Sequence, residues 1–123
     1  MTQSTFLIIA ALIPTIFGLV MMIIPDKMLS NSLVQPPTKA VLSVTQWAGF
    51  GTFTVGIITF LSRNDTGSDS LTAIMIGNVV FHVLGLCFDV LHYRIRVMKL
   101  SGLVTGLIPH FLLIAGFMYY LIK

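Results

Sequence analysis

The sequence predicts an all-α integral membrane protein, a single domain built as a four-helix transmembrane bundle. Three observations carry that reading. Apolar residues make up 56% of the 123 residues and charged residues only 9%, against about 25% charged in an ordinary soluble domain. Mean hydropathy is +0.98. The apolar residues also fall into four runs of helix length, separated by short polar connections. A soluble domain this small has too much surface to cover with so few charges. A disordered chain is excluded on the same grounds, and the lone Cys87 excludes an internal disulfide scaffold.

A hydrocarbon core of about 30 Å takes about 20 apolar residues of helix. The runs at 5–24, 43–61, 71–91 and 103–122 each qualify. They are about twice strand length and do not alternate with period two, so transmembrane strands are excluded. Pro25 closes the first run, which is too long for a signal-peptide core and is expected to be a retained helix. Residues 25–29 then read as a short interfacial turn, and Gln35-Pro36-Pro37-Thr38 as extended chain. The second run leads into a polar turn over 62–70. Ser70 or Asp69 is expected to cap the third helix.

None of the four runs contains Lys or Arg, and only the third contains an acid, Asp89. The connections at 25–42 and 92–102 hold Lys27, Lys39, Arg94, Arg96 and Lys99. The other side holds Arg63 and Lys123. The positive-inside rule therefore places both connections in the cytoplasm and both termini outside; the expected location is a bacterial inner membrane. These cations form no patch with interleaved aromatics, so nucleic acid is not an expected partner. The expected partners are the lipid bilayer and either other membrane subunits or a second copy.

Helices in lipid associate through small residues and interhelical hydrogen bonds. Thr45, Gly49, Thr52 and Gly56 recur every three or four residues on one stripe of the second run, continued by Thr59. Gly102 and Gly106 form a small-xxx-small pair at the start of the fourth, and Ala11, Thr15 and Gly18 share a face of the first. These stripes are expected to be packing surfaces.

The third run carries the one constellation that invites chemistry. Asn78, His82, Gly85, Asp89 and His92 line a single stripe about 21 Å long, at ~1.5 Å per residue. On the fourth run, His110 lies within about 3 Å of the depth of His82 if the two helices are antiparallel. An ionised group in a bilayer costs at least ~2.5 kcal/mol on insertion scales, so it needs a partner or a task. The simplest reading is structural, with Asn78, His82 and Asp89 hydrogen-bonding across the bundle and fixing its register. A second has His82, Asp89 and His92 relay protons or bind a cationic substrate. A third has His82 and His110 ligate a haem or a metal ion. Asp89 also has Arg94 and Arg96 within reach as ion-pair partners at the membrane boundary. No metal-binding, nucleophile-elbow or phosphate-loop motif occurs, so no residue is assigned as catalytic or as a metal ligand.

The pattern loosely resembles small four-helix bacterial membrane proteins of the DoxX-like kind. The resembling features are Phe17-Gly18 and Pro25-Asp26 at the end of the first run, Gly49, Gly51 and Gly56 in the second, its close at Ser62-Arg63-Asn64, and a histidine within the third. The resemblance implies a fold and no activity. With no large loop and no catalytic signature, the expected function is a small accessory or interaction subunit of a membrane complex. The alternative is a small-molecule, proton-linked transport or redox-cofactor site built on His82, Asp89 and His110.

Overall fold

The computed structural model describes residues 1–123 and is all-α. Its helices are α1 (Gln3–Ile23), α2 (Pro25–Ser32), α3 (Lys39–Leu61), α4 (Asp69–Arg94) and α5 (Leu100–Ile122), with a 3-10 turn at Ser62–Asn64 after α3. Four of them, all but α2, are long and apolar enough to cross a membrane.

All four long helices start earlier than their apolar runs, and in α1, α3 and α4 a polar side chain caps the extended start. The Thr2 hydroxyl accepts from the Thr5 N–H at 3.1 Å and the Thr38 hydroxyl from the Val41 N–H at 3.3 Å. Each satisfies one backbone donor that a helix start leaves without a partner. Ser68, rather than Ser70 or Asp69, caps α4, accepting from Leu71 N–H at 3.0 Å. The preceding Gly67, at φ 82°, turns the chain so that Ser68 meets the helix start. α2 occupies what reads in the sequence as a brief turn and a loop. Pro25 at its first position has the φ a helix needs and no N–H to leave unpaired.

α1 packs against α3, and α4 against α5; contacts between the two pairs are sparse. The pairs meet at the end that carries both termini. There Phe6, Leu7 and Ala10 of α1, Leu71 and Met75 of α4, and Leu113 and Phe117 of α5 form one buried cluster. Phe6 stands edge-on to Phe117 with ring centroids 5.1 Å apart, a favoured aromatic geometry. Asn78 is buried beside this core and donates to the Thr59 hydroxyl on α3 at 3.1 Å, tying the two pairs together.

At the opposite end α2 straps one pair to the other. The Lys99 N–H donates to the Ser32 carbonyl at 2.8 Å, Val34 N–H to the Val97 carbonyl at 3.0 Å, and the Ser101 hydroxyl to the Asn31 carbonyl at 3.1 Å. Gly102 admits this strap: a Cβ there would sit 2.9 Å from the Ser32 carbonyl oxygen. Between the aromatic core and the strap the pairs part, leaving a cavity of about 700 Å³.

Candidate functional site

The cavity is walled by α1 and α2 on one side and by α4 and α5 on the other, with Thr52 contributed by α3. Its lining mixes apolar residues with the neutral polar Asn31, Ser32, Thr52 and Thr105, and its ionisable side chains fall in one cluster. His82 and Asp89 lie on α4 within two turns of each other, which puts both on the face turned to α5. His110 comes from α5. The Nδ1 atoms of His82 and His110 are 2.8 Å apart, a hydrogen bond between the rings. On the far side of His110, Nε2 lies 3.9 Å from Asp89 Oδ2.

Glycines make this arrangement possible. A Cβ at Gly85 would lie 2.6 Å from Cε1 of the His110 ring, and one at Gly106 would collide with the Asp89 carboxylate. Each glycine thus leaves a notch on one helix for a polar side chain of the other. Pro109, next to His110, has no N–H to give the Thr105 carbonyl four residues back. Both residues line the cavity.

The tautomers follow from the geometry. An ionised Asp89 favours an N–H on the facing His110 Nε2. His110 Nδ1 is then the acceptor, His82 Nδ1–H the donor, and His82 Nε2 a free lone pair. A second proton on His110 reverses the inter-ring bond and moves an N–H to His82 Nε2. The two imidazoles therefore form a path along which a proton gained by His110 is expressed at His82 Nε2, while Asp89, 3.9 Å from His110, acts on it through its charge. Both ends of the cluster have spare capacity: His82 Nε2 and Asp89 Oδ2 are buried without a hydrogen-bond partner. His82 itself is only 3% exposed, held between the Phe81 and Phe117 rings. A buried polar atom without a partner forfeits about 1–3 kcal/mol, so each such atom calls for an explanation.

The structure thus divides the polar stripe of α4. His82 and Asp89 join His110 at the cavity. Asn78 has the structural role of a cross-helix tie, although its Oδ1 has no partner. His92 stands apart, its ring stacked on Phe88 at 6.2 Å and its carbonyl accepting from the Val97 and Met98 N–H groups. The ion pair expected of Asp89 with Arg94 or Arg96 is absent. Both arginines are exposed, Arg94 at the end of α4 and Arg96 beyond it, and the basic side chain within 4 Å of Asp89 is His110, an ion pair only when its ring is protonated.

A haem iron held between Nδ1 of His82 and Nδ1 of His110 does not fit this geometry. Metal–nitrogen bonds of about 2 Å put axial nitrogens roughly 4 Å apart, and 2.8 Å is hydrogen-bond distance. No group of three His, Cys, Asp or Glu side chains is placed to hold an ion.

Among the sequence-predicted packing residues, Gly49 and Gly56 are buried against α1, and Gly102 against α2. Thr45 is half-buried, its hydroxyl bonded to the Val41 carbonyl. Thr52 instead faces the cavity. The aromatic liners Phe17, Phe81 and Phe88 had no sequence signal, because single phenylalanines in apolar helices look alike whether they face lipid, core or a cavity.

Compared with family models, curated proteins and solved structures, the chain matches none. The resemblance to DoxX-like proteins therefore rests on its motif residues alone.

Proposed function

We propose that the chain is an integral membrane protein, a four-helix transmembrane bundle that binds a small molecule in the cavity between its helix pairs and handles protons there. The His82–His110–Asp89 cluster carries this reading: three ionisable side chains converge inside a cavity whose other lining residues are apolar or neutral, and two of their buried polar atoms have no partner. Asn78 Oδ1 is unpaired as well, so it is the convergence of three ionisable side chains on one cavity, more than the unpaired atoms, that supports a binding site. The volume of about 700 Å³ lies within the usual ligand-pocket range of about 300–1,000 Å³.

The membrane placement is supported by four long apolar helices whose outer faces carry exposed Ile, Leu, Val and Phe. With Lys27, Lys39, Arg94, Arg96 and Lys99 at the strapped end, that end is cytoplasmic and both termini are outside. We assign it to a bacterial inner membrane on the DoxX-like resemblance.

Extraction in mild detergent followed by native mass spectrometry tests the reading. A single chain or homo-oligomer carrying a reproducible small extra mass, lost in His82→Ala and Asp89→Asn variants, is the expected result. Additional protein subunits in fixed ratio with no small ligand would overturn it in favour of an accessory subunit.

A further inference from the structure

The proposed site leaves its ligand class open, and the lining narrows it. Asp89 is the only acid among the residues that form the cavity, and no Lys or Arg is among them. Facing Asp89 from α5 is His110, and His92 follows it on α4. α1, α2 and α3 contribute no titratable side chain to the lining; their polar groups there are Asn31, Ser32 and Thr52. Once the Asp89–His110 pair has given up its proton, the one formal charge in the cavity is negative. An anionic head would meet Asp89 with no cation to offset it, whereas a cation would find both a counter-ion and aromatic faces. Phe17, Phe81 and Phe88 are among the lining residues, and aromatic rings attract cations most strongly where water is excluded.

The cavity also has a rim at the level of the apolar spans. Leu84 is 53% and Phe88 55% exposed although both line it. A molecule dissolved among acyl chains thus has a side entrance as well as an apolar bed.

Resting on the small-molecule reading above, we propose that the cavity binds an amphipathic organic cation, an amine or quaternary ammonium with an apolar body, with Asp89 as counter-ion. The bound cation takes the place of a proton on the Asp89–His110 pair. No covalent bond changes. The cation-free pair holds one proton; as one positive charge enters, that proton leaves towards solvent, and Asp89 is left an anion facing the cation. Because proton and cation compete for one carboxylate, affinity falls as the medium is acidified, and loading and release are linked to a proton moving the other way.

Two probes of nearly equal size and shape test this on the purified full-length chain: tetraphenylphosphonium as cation and tetraphenylborate as anion. The expected result is saturable binding of the cation near one per chain, with proton release in weakly buffered detergent solution. The anion should bind at least ~10-fold more weakly, and Asp89→Asn should weaken the cation by a similar factor, as removal of a desolvated charge partner does. The wild-type comparison of cation with anion stands even if Asp89→Asn fails to fold. Equal affinity for the two probes, or an Asp89→Asn chain that elutes normally and binds the cation unchanged, would overturn the cation assignment. Tight binding of tetraphenylborate alone would defeat it while leaving the site in place. Saturable binding of neither probe, with co-purifying subunits, would defeat both.

Discussion

Glycine does different work in the two helix pairs. Between α1 and α3, backbone meets backbone. A Cβ at Gly18 would lie 2.5 Å from the Phe53 nitrogen and 2.7 Å from the Gly49 carbonyl oxygen, and one at Gly56 would lie 2.8 Å from the Ala11 carbonyl oxygen. Between α4 and α5, a glycine on each helix meets a polar side chain of the other, His110 at Gly85 and Asp89 at Gly106. The first arrangement spends the missing side chain on close approach, which suits helices whose apolar faces gain little by leaving lipid. The second spends it on room for imidazole and carboxylate. Small-xxx-small spacing thus announces a close helix contact without saying whether the contact is packing or chemistry; what stands opposite each glycine decides.

Substitutions that add bulk should separate the two roles. The largest effect is expected from Gly18→Leu, whose side chain has only the Phe53 and Gly49 backbone to displace. A cost above ~3 kcal/mol, at the upper end for overpacking, should appear as loss of folded chain in detergent-unfolding titrations. A wild-type midpoint would mean that α1 and α3 do not pack backbone to backbone. Gly106→Ala should act on the other pair and differently, because the carboxylate it displaces can rotate. Its unfolding midpoint should move by ~1 kcal/mol or less, while small-molecule binding falls at least as far as in Asp89→Asn; wild-type binding would remove Asp89 from the site. Asn78→Leu cuts the tie to Thr59 and should cost about 1 kcal/mol, the scale of interhelical hydrogen bonds in membranes, with ligand content unchanged. Loss of ligand in that variant would return Asn78 to the site. The smallest effect has the opposite sign. A Cβ at Gly51 or Gly77 meets nothing, so Gly51→Ala and Gly77→Ala should stabilise by about 0.5–1 kcal/mol through helix propensity. Destabilisation would show that a partner covers those faces.

Much of this was legible from the chain. The long apolar helices follow from composition and run length. The pairing of His82 with His110 follows from the fixed helical rise, which sets depth once two helices are antiparallel. Other features depend on tertiary contacts that no local pattern encodes. α2 contains Ser30, Asn31 and Ser32, poor helix formers, and it holds because Ser32 and Asn31 dock on the start of α5. Of the partners within reach of Asp89, His110 rather than Arg94 or Arg96 stands beside it. Five residues past Asp89, Arg94 ends the helix and is exposed, while His110 is brought in through the notch at Gly85. The cavity itself depends on how far the pairs splay, which four amphipathic stripes do not specify.

The bond between the two histidine rings is the feature on which the site stands, and it can be observed directly. The chain, labelled with ¹⁵N at its histidines and reconstituted in bilayers, would be examined by solid-state NMR for magnetisation transfer between ring nitrogens. The account predicts one Nδ1–Nδ1 correlation, between His82 and His110, removed by Gly85→Ala while the helices persist. Three histidines with no ring-to-ring correlation, or a correlation that survives Gly85→Ala unchanged, would contradict it.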